Sequence, residues 1–306
     1  MNSTPPGAHR PVVDHWGGFK ELGTALAGPF AAVIDRRVAT LHPELLRVLR
    51  GRRPVALLQL AAGERTKSLR ILERVLGSLA ALPRTGTLVA IGGGTIGDLS
   101  TVAAHVHKRG VRLVHVPTTL LAAVDSSVGG KGAVNVGPVK NGAGVFHYAA
   151  ESWLCPKVFS TLSEAQLREG AIEAWKMAAC LSPESWSAWR SQKPELETLV
   201  RASRAMKAEI CQRDPYEQAG LRQVLNFGHT FGHVLESVSD FRVRHGDAVG
   251  LGMSCALDVG RALGVTPAEV AVEVEEALAA GPGVLGRRAL ARVMLKTTKG
   301  EVRRLL

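Results

Sequence analysis

From Arg222 the sequence reads Arg-Gln-Val-Leu-Asn-Phe-Gly-His-Thr-Phe-Gly-His, and a His-Gly-Asp follows at 245, so three of the ten histidines fall close together at 229, 233 and 245. His229 and His233 are four residues apart and on a helix would project from one face. Neutral imidazole is a ligand for zinc and similar ions, and an i, i+4 pair is one way to supply two of them. The same spacing predicts that Arg222, Asn226, His229 and His233 line one side of a single helix, offering a guanidinium, an amide and two imidazoles. Paired histidines also cap or decorate helices without binding anything. Taken alone, the pair leaves both readings open.

A second stretch, Ile91-Gly-Gly-Gly-Thr-Ile-Gly-Asp98, satisfies G-x-G-x-x-G at Gly92, Gly94 and Gly97. It follows a predicted strand and leads into a predicted helix. There, glycines let backbone amides approach a pyrophosphate, and the helix N-terminus offers N–H groups and a positive dipole end. The acid expected on a ribose about 20 residues further on is missing, because Val116 runs into Pro117-Thr-Thr. A phosphate-like ligand is expected, set against an ordinary βα turn. Glu64 and Lys67, after the preceding strand, could hold a ribose or adenine or belong to a charged surface loop. A third block, Pro117 to Phe146, concentrates Asp125, Lys131, Asn135, Lys140 and Asn141 among small residues. Its lysines suit an anionic ligand, since a compact ammonium needs close approach.

The elements that must position these residues are legible in outline. Phe30–Ile34, Val55–Leu60, Leu88–Ile91 and Leu113–Val116 are strand-length apolar runs that stop at turn signals, and Leu69–Leu82 has helical spacing. Strand and helix in alternation predict a parallel sheet with helices on its faces. From Ser163-Glu-Ala-Gln166, a capping box, helical periodicity takes over, to about Cys180 and again over 195–213, 221–238, 246–263 and 267–280. The expected fold is α/β: a Rossmann-like nucleotide-binding domain over 1–155 and an all-helical domain over 156–306.

Composition bounds the rest. The 306 residues are 46% hydrophobic, with room for a large core. No apolar run reaches the roughly 18–20 residues of a spanning helix. Four separate cysteines without a C-x-x-C pair argue against a disulfide frame or zinc ribbon and fit a reducing compartment. With no secretory signal visible, the expectation is cytoplasmic. The net charge of +11 is spread as scattered arginine without interleaved aromatics, which points to a solvated basic surface and not to nucleic acid.

In order along the chain, Gly92-Gly-Gly-x-x-Gly-Asp98, Arg109-Gly, Pro117-Thr-Thr-Leu-Leu-Ala, Val124-Asp-Ser-Ser-Val-Gly-Gly-Lys131, Lys140-Asn141, Gly170-x-x-Glu173-x-x-Lys176, Asn226-x-Gly-His229-Thr-x-Gly-His233 and His245-Gly resemble the 3-dehydroquinate synthase family. The resemblance runs from about Gly63 to Gly252. It implies a homodimer with the active site in a cleft between an α/β and a helical domain. It implies NAD and Zn2+ (or Co2+) as cofactors and conversion of a phosphorylated keto acid, 3-deoxy-D-arabino-heptulosonate 7-phosphate, to 3-dehydroquinate. In that family NAD accepts a hydride, phosphate is eliminated, the hydride returns and the ring closes by an aldol step, so there is no net redox change.

Carried over position by position, the resemblance makes Glu173, His229 and His245 the metal ligands, leaving His233 beside the metal for hydrogen bonding or proton transfer. Lys131, Asn141, Lys176, Lys207, Arg222, Asn226 and His233 become substrate-holding residues. Arg222 then faces a carboxylate, Asn141, Lys176 and His233 lie near the phosphate, and Asp125 and Lys131 bracket the nicotinamide and reacting carbons. Arg109 reaches a neighbouring subunit's phosphate, and Lys296 stands where the family has a late phosphate-contacting lysine. Glu64, Lys67, Gly94, Thr95, Gly97, Asp98, Thr118, Thr119, Lys131, Lys140 and Thr161 form the nucleotide set. The alternatives are another sugar phosphate cyclase, of the sedoheptulose 7-phosphate cyclase or 2-deoxy-scyllo-inosose synthase type, and a non-catalytic paralogue.

Overall fold

The computed structural model describes residues 9, 11–239 and 242–283. Among these, one compact unit comprises the residues up to Ser163 together with Lys207–Tyr216, and the other comprises Glu164–Met206 and the residues from Glu217 onward.

In the first unit, strands β1 (Val13–Trp16), β2 (Phe30–Asp35), β3 (Ala56–Leu60), β4 (Thr87–Gly92), β5 (Arg112–Pro117) and β8 (Glu151–Leu154) form one sheet in the order β1-β8-β5-β4-β2-β3. Every pairing in it is parallel. The central strands are apolar on both faces because helices cover both, as parallel sheets require. Helices α1 (Phe19–Ala25), α2 (Arg36–Leu41), α3 (Pro43–Gly51), α4 (Leu69–Ser78) and α5 (Gly94–Val106) follow in chain order. Val33, Leu88 and Ala90 from the sheet pack with Val75 of α4 and with Ile96, Leu99 and Ala103 of α5, all buried. The chain turns outward from β2 to β3 and then returns to the other side of β2 as β4. That reversal is a switch point, where open α/β sheets bind ligands beyond the carboxyl ends of their strands. Ile34 is in register with Ile91, so Asp35 and Gly92 flank this point.

The four expected strand runs appear as β2 to β5. Three features were not expected. β1 is a short edge strand whose Val13 and Asp14 are exposed, so it has no apolar run. β8 lies where the sequence suggests a boundary. The polar block folds in part as an antiparallel hairpin of β6 (Lys131–Val136) and β7 (Val139–Phe146), whose glycines disguise it as a loop.

In the second unit, after the short α6 (Pro156–Phe159) of the first, come α7 (Glu164–Leu181), α8 (Pro183–Ser191), α9 (Leu196–Arg213), α10 (His229–Val238), α11 (His245–Ala262) and α12 (Ala268–Ala280). The last turns of α9, from Lys207, belong to the first unit. The expected single helix carrying Arg222, Asn226, His229 and His233 is corrected. Leu221–Asn226 is a 3-10 helix, and α10 begins afresh at His229. The break is at Gly228, which sits at φ +80°, left-handed backbone that favours glycine. It also meets α11 at close quarters, because a Cβ on Gly252 would fall 2.0 Å from the Gly228 carbonyl oxygen. At the start of α11, a Cβ on Gly246 would fall 2.5 Å from Cα of Glu169 on α7. Helices α7, α10 and α11 therefore approach backbone to backbone, and their side chains converge.

Candidate metal centre and nucleotide site

Glu173 lies in the middle of α7 with only 1% of its surface exposed. Burying a carboxylate is costly unless charge compensates it, and here three groups do. Lys176, one turn on and also buried, places Nζ 2.5 Å from Oε2. His245 Nε2 lies 3.5 Å and His229 Nε2 3.8 Å from Oε1. Ligand atoms of Glu173, His229 and His245 all fall within 4.8 Å of one another. The i, i+3 Glu-Lys pair, normally a surface feature, is here enclosed.

Burial opposes ionisation of Glu173, but the Lys176 ammonium, followed by the two imidazoles, holds its carboxyl well below the usual range. For His245, burial works against the charge, but the carboxylates of Glu173 and Glu236 on either side of the ring outweigh it and push the group up to about 10. Neither Glu173 oxygen receives a hydrogen bond of good geometry, despite the nearby charges. A buried, acceptor-only carboxylate with two imidazole Nε2 atoms turned toward one of its oxygens is a donor set suited to a divalent cation. The residues fit the group.

The neighbours are ordered. Lys176 Nζ donates to the Leu225 carbonyl (2.6 Å), so the 3-10 turn holds that lysine. His233 is outside the ligand set, with its ring centroid 5.3 Å from that of His229 and 6.3 Å from that of His245. Arg222 is buried, with Nε 3.4 Å from Glu217. Arg168 grips the buried Asp247 through two bonds (2.9 and 3.3 Å), tying α7 to the first turn of α11.

In the first unit, β4 ends at Gly92, Gly93 caps α5 without a side-chain bond, and Gly94 opens the helix. Ile96 and Gly97 N–H donate to the Gly93 carbonyl, and the amides of Gly94 and Thr95 before them lie at the end of the helix where no intrahelical acceptor exists. Lys67, buried, donates to Asp98 (2.5 Å) and Asn141 (2.6 Å). Asn141 adopts φ +55° and donates its backbone N–H to Asn135, whose amide donates to Glu64. Thr95 Oγ1 accepts from Gly63 N–H, and Thr118 N–H donates to the Gly92 carbonyl. Gly97 packs near His115, and Gly93 packs on Thr119. Glu64, Asn135, Asn141, Lys67 and Asp98 therefore form one linked cluster, with Thr95 bonded at the neighbouring Gly63. Lys207, also buried, donates to the Asp125 carboxylate (2.5 Å) and carbonyl (2.7 Å).

Lys131 and Lys140 are exposed on the hairpin, and Arg109 is exposed at φ +64°. Thr161 is bonded to Val158 and lies 3.3 Å from His42. Lys296 lies outside the described residues. Two acids near these groups were not singled out by the sequence reading, Glu236 and Asp35, whose carboxylate accepts from the Arg37 N–H as the N-cap of α2. Asp35 ends the strand beside β4, where spacing along the chain gives no clue because β2 precedes β4. Glu236 falls at i+7 from His229, a position that could have been read from the helical spacing.

Two family descriptions, 3-dehydroquinate synthase N-terminal and 3-dehydroquinate synthase C-terminal, match residues 57–169 and 167–283. The 3-dehydroquinate synthase of Pyrobaculum islandicum is 38% identical over 280 residues, covering 86% of this chain and 78% of that protein. The 2-epi-valiolone synthase of Actinosynnema mirum is 38% identical over 267 residues, covering 83% and 70%. Among solved structures, a 2-epi-5-epi-valiolone synthase from Streptomyces hygroscopicus subsp. jinggangensis 5008, with NAD+ and Zn2+ bound, superposes with a TM-score of 0.79 at 25% identity, covering 98% of this chain and 89% of that one. With both family segments matched in order over most of its length, this chain belongs to the 3-dehydroquinate synthase family.

Proposed function

We infer that the chain is an NAD- and metal-dependent lyase that converts 3-deoxy-D-arabino-heptulosonate 7-phosphate to 3-dehydroquinate and phosphate. The observation that carries this reading is the buried Glu173 with the Nε2 atoms of His229 and His245 turned toward it, in a chain matched by both halves of the family. When bound, NAD accepts and returns hydride, and a zinc or cobalt ion polarises the oxygen at the carbon being oxidised.

Each residue has a role in that chemistry. Glu173, His229 and His245 would hold the ion and leave positions open to substrate oxygens. In the same unit, Arg222 would take the substrate carboxylate, since a guanidinium fork matches it, and Asn226 would hold a hydroxyl. Lys176 and His233 would hold the phosphate as it leaves. In the first unit, the start of α5 (Gly94, Thr95, Gly97, Asp98) with Glu64, Lys67, Thr118, Thr119, Lys140, Thr161 and Asp35 would hold the dinucleotide. Lys131, Asn141 and Lys207 would serve the substrate, with Asp125 keeping the Lys207 ammonium aimed. Arg109 would serve a second copy in a homodimer, and the protein would act in the cytoplasm.

The similarity to the 2-epi-valiolone synthase supports a second reading, a cyclase acting on sedoheptulose 7-phosphate. Arg222 favours the keto acid, because a guanidinium gains most from a carboxylate partner. Purified protein given NAD and zinc should release phosphate from the keto acid phosphate. Release from sedoheptulose 7-phosphate alone would move the assignment to the second reading, and release from neither would reject both.

A further inference from the structure

We propose that Glu236 is a positioning residue for the metal centre: its buried carboxylate holds His245 as the Nδ1–H tautomer, so that Nε2 is the nitrogen offered to the cation. Glu236 falls seven residues after His229 on α10, on the same face as His229 and His233. It is 5% exposed, which is unusual for a glutamate without a charged or metal-bound partner. Its Oε1 lies 3.3 Å from His245 Nδ1, while Nε2 of the same ring lies 3.5 Å from Glu173 Oε1. The imidazole is thus spanned by two carboxylates. An ionised carboxylate only accepts hydrogen bonds, so contact with Glu236 keeps a proton on Nδ1. A cation between His245 and Glu173 then takes the place of the proton on Nε2.

His229 is turned the same way by a different device. Its Nδ1 lies 3.4 Å from the Phe227 carbonyl oxygen and 3.5 Å from the Lys176 ammonium, and its Nε2 lies toward Glu173. The Phe227 carbonyl is backbone, which substitution cannot remove, whereas Glu236 is a side chain, which it can. Ligating histidines commonly donate their second N–H to such a partner, whose loss weakens metal affinity by about 10- to 100-fold.

The inference rests on Glu173, His229 and His245 being the ligands, and the test separates the two ideas. Full-length E236L, E236Q and H245A, freed of metal, are titrated with Zn2+ against a chromogenic chelator, and their Co2+ absorption spectra are recorded. E236L should bind zinc about 10- to 100-fold more weakly and show a shifted Co2+ band. E236Q, which keeps an acceptor but not the charge, should fall between E236L and the parent, whereas a mere helix-to-helix contact would leave its Co2+ band unmoved. Parental zinc affinity and Co2+ spectra in the Glu236 variants, with binding lost in H245A, would overturn the positioning role. Parental affinity in H245A as well would reject the ligand set itself. Should E236L fail to fold, E236Q decides: a weakened affinity with a shifted band supports the role, and parental values overturn it.

Discussion

Glu173 is held by charges that come from three helices, and its energetics follow from that. In metal-free protein, Glu173→Gln keeps the volume but strands the buried Lys176 ammonium, a change that costs about 3–5 kcal/mol for an enclosed pair. Urea denaturation of both proteins without metal should show the loss. A second test concerns Lys67, which donates to both Asp98 and Asn141. Lys67→Met should lower stability by about 1–3 kcal/mol, the worth of hydrogen bonds made by a charged group, and weaken NAD binding measured by fluorescence titration. At this scale the sequence named the ligand residues only through family resemblance. Spacing first suggested His229 with His233, because the helical period is local. The enclosure of Glu173 and Lys176 is supplied by α10 and α11, which no i, i+3 reading can see. Asp35 escaped for a similar reason: pairing in the sheet, not distance along the chain, puts it beside Gly92.

Helix junctions set how close the side chains come. Gly246 lies against the backbone of Glu169, one turn before Glu173 and next to His245. A methyl group there forces α11 from α7, so Gly246→Ala should cost about 1–3 kcal/mol by overpacking. It should also weaken zinc binding, because His245 and Glu173 ride on the two displaced helices. Thermal denaturation and chelator competition read the two effects separately, and parental values in both would contradict the packing account. Strands β2 to β5 were legible, most plainly β2 and β4, which are buried almost throughout. α7, beginning at Glu164, stands where the capping box put it. β1 and the β6–β7 hairpin were not, since an edge strand needs no apolar run and Gly132, Gly142 and Gly144 mimic a turn. The single helix expected over Arg222–His233 failed at Gly228, whose left-handed backbone is set by the approach of α11.

Across the whole molecule, the parallel sheet and the helical second unit agree with the alternation and the later helical periodicity of the sequence. Among the described residues, no helix is long and apolar enough to cross a membrane. The net charge of +11 favours encounter with a phosphorylated, carboxylated substrate, and salt screens such attraction over about 10 Å at 0.1 M. Raising the salt from about 20 mM to about 500 mM should therefore raise KM for the keto acid phosphate with little change in kcat, read from initial rates of phosphate release. The central claim is narrower: one carboxylate and two imidazoles share one ion. Anomalous diffraction at the zinc edge from crystals grown with zinc tests it most directly. The account predicts a peak about 2.0–2.2 Å from a Glu173 oxygen and from Nε2 of His229 and of His245. A peak that leaves out Glu173, or zinc found only at other residues, would contradict it.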